Sequence, residues 1–221
     1  MANASFTRDE VILALDALYF SEEKTLSPDS KTIIELCELL QSLPIHPTGK
    51  RKPDFRNQTG VNRQLSLFRT SCKTGRRDPN VGELFFTVAQ EYENNIDELH
   101  LIAKAIRKNR NSFETMFGSI TENMGFPEGV LLGHLHTVIE KRDGRRIPLG
   151  ERCSVCQIEP QLLYRPCGSL LEQHLVVSPL VMDCSKKYKS TDFITVCPSC
   201  HAALHRFRPW LNEKNCGDVL R

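Results

Sequence analysis

Apolar residues recur at helical spacing through the first half of the chain. Val11, Leu15 and Leu18 fall on one helix face, and Thr7 followed by Glu10 has the spacing of a capping box. The same period continues in residues 27–43, 61–68 and 81–109. The pattern predicts an all-α domain over residues 1–116.

The helical period is lost from Asn111 to Gly129, just before and within the stretch 117–150. Four chain-breaking residues indicate an interdomain linker: Gly118, Gly125, Pro127 and Gly129. Beyond them, Asp143 and Gly144 lie between two candidate strands and are typical of a β-hairpin turn. His134 and His136 would alternate on one face of the first strand. We therefore predict a linker and a β-hairpin in this stretch.

Two Cys-x-x-Cys pairs define the last segment, residues 151–221. Cys153/Cys156 and Cys197/Cys200 are separated by about forty residues. Four thiolates at these spacings are typical of a tetrahedral structural Zn²⁺ site that joins two distant segments. In a domain of about 70 residues, the metal would compensate for a small hydrophobic core.

Two histidines follow the second cysteine pair at once. His201 and His205 have i, i+4 spacing, which on a helix presents both imidazoles on one face. They are within reach of a second metal ion, separate from the predicted zinc.

These residues, together with His174 and Asp192, resemble the HNH endonuclease family of the bacterial restriction and anti-phage type. The resemblance implies a ββα-metal fold, with His174 as general base, Asp192 at the family's Asn position, and His201 and His205 as ligands of one catalytic divalent cation such as Mg²⁺, Mn²⁺ or Ni²⁺. The family has His or Asp as a ligand before the base, and here Gln173 holds that position. Glu172 is an alternative anionic ligand. Because the family's ligands lie elsewhere, we expect neither His134 nor His136 to bind metal.

Charge changes sharply along the N-terminal domain. The first 49 residues carry three basic and eight acidic side chains, whereas residues 50–77 carry nine basic side chains and one acidic one. A basic segment of this kind is either a solvated surface or a phosphate-binding one. The candidate DNA-binding residues are Lys50, Arg51, Lys52, Arg56, Asn57, Gln58, Arg63 and Arg69, with Arg145 and Arg146 in a second basic cluster.

Residues 6–110 carry a second resemblance, of which the motif FRNQTGV is the most specific part. They are similar to the helical module that precedes the HNH domain in many bacterial restriction-endonuclease-like proteins. The resemblance implies a module that binds double-stranded DNA upstream of a nuclease, in modified-DNA restriction or another anti-phage defence system.

We therefore expect an α+β protein, in which an all-α N-terminal domain precedes a zinc-stabilised ββα-metal (HNH) domain. No apolar run reaches membrane-spanning length, the N-terminus lacks signal-peptide features, and nine cysteines are an odd number, which together favour the cytoplasm. The expected function is a metal-dependent DNA endonuclease that nicks or cleaves foreign DNA as a monomer or homodimer. Two alternatives remain open: a catalytically impaired DNA-binding module, and a subunit of a defence complex that its partner proteins activate.

Overall fold

A computed structural model describes residues 4–23, 25–116, 129–163 and 170–206 of the chain. The chain divides into two compact units, Met1–Glu122 and Asn123–Arg221, which we call the N-terminal and C-terminal units. Their boundary falls in the predicted linker, and the linker glycines 118 and 125 and Pro127 lie outside the described residues.

The N-terminal unit is helical throughout its described residues. Its helices are α1 (Arg8–Tyr19), α2 (Lys31–Ser42), α3 (Gln58–Thr74), α4 (Glu83–Glu91), α5 (Ile96–Lys108) and α6 (Arg110–Met116), with a 3₁₀ turn at Thr48–Lys50. Helix α1 packs against α2, α3, α4 and α5. Five consecutive α1 residues, Val11 to Leu15, have no exposed surface, so this helix is buried on all sides rather than on one face.

The predicted capping box begins α1. The Thr7 side chain accepts the Glu10 backbone N–H, and the Glu10 carboxylate accepts the Thr7 backbone N–H at 2.8 Å. Glu10 is also fully buried. The carboxylate therefore needs further partners inside the unit, and these are described with the predicted DNA-binding residues below.

The C-terminal unit contains helices and one small sheet. Its elements are α7 (Val130–Asp143), a 3₁₀ turn (Gly144–Arg146), α8 (Pro160–Leu163), β1 (Glu172–Leu175), a 3₁₀ turn (Ser190–Asp192), β2 (Phe193–Val196) and α9 (Pro198–Leu204). Strands β1 and β2 are antiparallel, with His174 opposite Ile194. Helix α9 follows β2 directly, so the chain order is strand, strand, helix. The mixed, helix-rich class with a small sheet agrees with the sequence prediction.

The predicted β-hairpin around residue 143 is wrong, because residues 130–143 form helix α7. Leu131, Leu135 and Ile139 have i, i+4 spacing and no exposed surface, which is the core-facing stripe of a helix. Asp143 and Gly144 end this helix and begin the 3₁₀ turn. A Cβ atom on Gly144 would lie only 3.2 Å from the Phe193 ring, so any other residue here would require Phe193 to shift by a few tenths of an ångström.

No helix in the described part of the chain is long and apolar enough to cross a membrane.

Candidate metal centres of the C-terminal unit

The first candidate centre is the group of four cysteines. Cys153 and Cys156 lie in a tight turn closed by the Gln157 N–H, which donates to the Cys153 carbonyl at 2.9 Å. Cys197 is the N-cap residue of α9, and Cys200 lies in its first turn. All four Sγ atoms lie within 4.8 Å of one another. The predicted four-cysteine cluster is thus present, and it is compatible with zinc.

The environment of the sulfurs fits a divalent cation. Burial opposes ionisation of Cys153, but hydrogen bonds from the backbone of residues 156, 197 and 155 lower its pKa to about 7. Burial and the neighbouring cysteines raise the pKa of Cys200. Four thiolates at this separation would repel one another strongly without a cation, and tetrahedral thiolate sets are typical of structural zinc.

Around this cluster the hydrophobic core is small. It consists of Cys153, Val155, Leu171, Ile194, Val196, Cys197 and Leu204. Two of its seven members are themselves candidate metal ligands. The part of the unit nearest the cysteines therefore has little apolar surface with which to stabilise itself.

A second cluster lies on three elements of the same unit. It consists of Glu140 from α7, His174 from β1, and His201 and His205 from α9 and its C-cap, with ligand atoms within 4.8 Å of one another. The Glu140 carboxylate is central: its oxygens lie 3.0 Å from His174 Nδ1, 3.4 Å from His201 Nε2 and 3.5 Å from His205 Nε2. Imidazole nitrogens with one carboxylate oxygen form a donor set that suits Zn²⁺, Mn²⁺, Fe²⁺ or Ni²⁺.

The cluster is held in place by contacts behind its ligand atoms. Glu172 bonds His201 Nδ1, leaving Nε2 of that ring toward the cluster. On the other side, His136 Nε2 lies 2.8 Å from the Leu175 carbonyl oxygen, and the Leu175 N–H donates to Glu140 at 2.9 Å. Carboxylates and carbonyls behind ligand histidines fix the tautomer and the ring orientation, as in known metal sites.

Burial and the central carboxylate set the protonation states. Burial lowers the pKa of His174 to about 3, despite the opposing effect of Glu140. Burial also lowers the pKa of His205, whereas Glu140 and Glu172 outweigh burial at His201 and raise its pKa. For Glu140 burial opposes ionisation, but the surrounding histidines hold its pKa well below the usual range. At neutral pH the cluster thus contains an ionised carboxylate beside a neutral His174.

Two residues predicted for this site have other contacts. Gln173 points its amide nitrogen to the Pro148 carbonyl at 2.9 Å and to Thr195 Oγ1 at 3.3 Å, on the opposite side of β1 from its neighbour His174. Asp192 accepts the Lys189 backbone N–H at 2.8 Å in a 3₁₀ turn. The carboxylate beside His174 is Glu140, and neither Gln173 nor Asp192 belongs to the cluster.

The sequence prediction did not include Glu140 as a candidate ligand, or the contact of His136 with the Leu175 carbonyl beside the cluster. Both are buried and lie one helical turn apart on α7. In a strand these two residues would share a face but lie about 13 Å apart, whereas one helical turn makes them neighbours. The signal was therefore present in the sequence as a His-x-x-x-Glu pair on an apolar stripe.

Arg56, predicted to contact DNA, is instead buried in the N-terminal unit. Its guanidinium pairs with both Glu10 oxygens at 2.7 and 2.9 Å and donates to the Ala4 and Ser5 carbonyls. It also stacks on the Phe6 ring at 3.9 Å. The prediction was wrong because a buried carboxylate, distant in sequence, requires this charge as its partner.

Two neighbouring candidates also have structural roles. Arg51 donates to the carbonyls of His46, Gln41 and Leu43. The last two lie at the C-terminal end of α2, where carbonyl groups have no hydrogen-bond partner within the helix. Asn57 is the N-cap of α3, where its side chain accepts the Gly60 N–H at 2.8 Å. Lys52 is half-buried. The remaining candidates are exposed: Lys50, Gln58, Arg63 and Arg69 in the N-terminal unit, and Arg145 and Arg146 in the C-terminal unit.

Comparison with known proteins identifies no relative of this chain. No protein-family model matches it, no curated protein matches it, and no solved structure matches it.

Proposed function

We propose that the chain is a divalent-metal-dependent DNA endonuclease of the HNH type. The observation that carries the proposal is the cluster of Glu140, His174, His201 and His205 on a strand-strand-helix unit, next to a four-cysteine group. A carboxylate and neutral imidazoles converging on one point are suited to hold a cation and to move a proton, the two tasks of phosphodiester hydrolysis.

Glu140, His201 and His205 are the residues proposed to hold the cation. When bound, a divalent cation stabilises the charge that develops on the scissile phosphate and its leaving oxygen. Glu172 orients His201 through Nδ1, and the Leu175 N–H fixes one oxygen of Glu140. These contacts hold two of the three donors, His201 and Glu140, in place before substrate arrives, which reduces the reorganisation needed for catalysis.

His174 is proposed as the general base, oriented by Glu140 in place of Asp192. With Nδ1 3.0 Å from Glu140 Oε1, its proton is held on Nδ1 and the lone pair on Nε2. Because Nε2 is buried in the free protein, the water that attacks the phosphorus must enter the cluster with the substrate before Nε2 can accept its proton. Burial lowers the pKa of His174 to about 3, which keeps the ring neutral at physiological pH but makes it a weak base in the free protein.

The exposed basic residues are proposed to bind the DNA backbone. Arg145 and Arg146 lie in the 3₁₀ turn that follows α7, the helix carrying Glu140, and both side chains are exposed. Lys50, Arg63 and Arg69 would contribute from the N-terminal unit. Phosphate contacts of this kind position a backbone without reading its sequence.

Plasmid cleavage with metal analysis tests this function. Wild-type protein with Mg²⁺ or Mn²⁺ is expected to convert supercoiled plasmid to open circles or linear DNA. His205→Ala should lose cleavage together with the cation of the second cluster, whereas His174→Ala should lose cleavage and keep the cation. Absence of cleavage from wild type on unmodified and modified plasmids, with zinc and fold intact, would overturn the proposal.

The complete burial of His174 supports a second candidate function, a closed four-ligand metal site in a DNA-binding or partner-activated subunit. Four protein ligands around Zn²⁺ leave no position for water or substrate, which is characteristic of structural sites. In that case His174→Ala would lose the second cation as readily as His205→Ala. The metal content of these two variants therefore separates the candidates independently of activity.

A further inference from the structure

A cleft of about 610 Å³ opens beside the second cluster. Glu140 and His201 belong to both the cluster and the cleft wall. A ligand that fills the cleft therefore lies against the cation-binding residues. A cavity of this volume is large enough for a small organic group rather than for a solvated ion alone.

One wall of the cleft is apolar. Ile147, Leu149 and Leu171 line it, and Leu149 keeps 43% of its surface exposed. The backbone of intact duplex DNA presents charged phosphates and sugars, which gain little from such a wall. The flat face of an unstacked base would gain from it, because bases bind apolar and aromatic surfaces when a strand is unpaired.

Two positively charged side chains line the same cleft. Lys141 and Arg145 line it, are exposed, and lie four residues apart where α7 runs into the 3₁₀ turn. Neither makes a salt bridge among the residues that the structure describes. Arg142, between them, is instead held by Asp143 and by the carbonyls of Cys184 and Lys186. Lys141 and Arg145 are therefore placed to meet a ligand's negative charge.

We propose that this cleft binds one unstacked nucleotide next to the scissile phosphate, with its base against Ile147 and Leu149 and its outer phosphate against Lys141 and Arg145. The inference rests on the proposed nuclease function and specifies its substrate: DNA that is single-stranded or locally unpaired. A flanking nucleotide bound here would hold the scissile phosphate at Glu140 and His201.

The test compares three substrates of the full-length protein in Mn²⁺: a single-stranded oligonucleotide, the same oligonucleotide in a duplex, and methyl p-nitrophenyl phosphate. The last is a diester with neither a base nor a flanking phosphate, so its hydrolysis requires the cluster but not the full set of nucleotide contacts. We expect a higher kcat/KM for the single strand than for the duplex. Leu149→Ser should lower the ratio of single-strand to diester kcat/KM about tenfold, because it replaces apolar surface that the base would cover with a polar group.

Matched variants complete the design. Val181→Ser, at a 63% exposed apolar residue of the same unit, should leave the ratio unchanged. Lys141→Ala with Arg145→Ala should lower it, and Lys186→Ala with Lys187→Ala removes the same charge as a control. Circular dichroism and zinc content verify folding of every variant.

The outcomes separate this inference from the proposed function. If wild type hydrolyses neither the diester nor DNA, the nuclease function itself fails. If it hydrolyses the diester but prefers duplex DNA, or if the Leu149 and Lys141/Arg145 variants behave like their controls, the nucleotide cleft is overturned and the nuclease function stands.

Discussion

At the scale of single residues, side chains of the same type have different roles that depend on the charged groups around them. Arg56 and Arg63 lie seven residues apart in one basic segment, yet Arg56 is 6% exposed and Arg63 is exposed. The difference is Glu10, which is buried in α1 and accepts from both Arg56 and His46. Breaking a buried pair is costly because the partner's charge remains uncompensated.

We predict that Glu10→Gln destabilises the protein by about 3 kcal/mol at neutral pH, because Arg56 would remain buried without its counter-charge. Urea unfolding monitored by circular dichroism measures the change. Glu35→Gln is the matched control, since Glu35 pairs with Lys31 on the surface of α2 and should change stability little. Equal effects of the two substitutions would contradict the structural role of Glu10.

This stabilisation should depend on pH with a definite sign. Burial opposes ionisation of Glu10, but the hydrogen bonds from His46 and Arg56 outweigh it and lower its pKa below the ordinary value of 4.5. A lowered carboxyl pKa contributes stability above the unfolded-state pKa and loses it as pH falls through the folded-state pKa. The stability difference between wild type and Glu10→Gln should therefore be constant above about pH 5 and shrink below pH 4.5. A difference that grows in acid would refute this assignment.

At the scale of elements, α9 links the two candidate metal centres. Cys200 and His201 are adjacent in this seven-residue helix, and Cys197 and His205 are its two cap residues. Helices this short are not stable by themselves in water. The geometry of His201 and His205 must therefore come from packing and from whatever holds the cysteines.

We accordingly predict that loss of the first centre weakens the second, but not the reverse. Cys200→Ser should lose zinc and lower the affinity of the histidine cluster for Co²⁺ or Mn²⁺ at least tenfold, the order expected when supporting contacts of a metal site are removed. His205→Ala should lose only the second cation. Elemental analysis and Co²⁺ absorption spectra measure both. Full Co²⁺ affinity in folded Cys200→Ser would show that α9 is ordered without zinc.

At the scale of the whole molecule, the two units differ in how they are stabilised. The N-terminal unit has a helical core around α1, including large buried side chains such as Phe68, Phe85 and Tyr92. Its described residues contain no candidate metal cluster, whereas both clusters of the described chain lie in the C-terminal unit. Metal binding free energy in small domains is also folding free energy.

Removal of metal should therefore unfold one unit and spare the other. With EDTA or a stronger zinc chelator, we expect the C-terminal unit to become sensitive to protease while a fragment close to Met1–Glu122 persists with its helical signal. Mass spectrometry identifies the fragment, and readdition of Zn²⁺ is the control. Protection of the C-terminal unit in the metal-free protein would contradict the stabilising role of the cysteine cluster.

The features that the sequence by itself determined are those encoded over short separations. Helical periodicity predicted the N-terminal helices, the Thr7/Glu10 spacing predicted a cap, and ligand spacing predicted each Cys-x-x-Cys pair and the pairing of His201 with His205. Each depends on the geometry of one turn or one helix, which a few neighbouring residues set. These signals are local, and the structure retains them.

Tertiary structure decided the rest. Glu140 reaches His174 only because α7 packs against β1, across 34 residues of chain, and Arg56 leaves the surface only because Glu10 is buried 46 residues earlier. Gln173 misses the cluster because adjacent strand residues face opposite sides. The residue type of a charged side chain does not determine its partner. Its burial and the nearest opposite charge in the folded protein do. Folding therefore selected the carboxylate of the candidate site, the basic side chains that remain exposed, and the cleft beside the site.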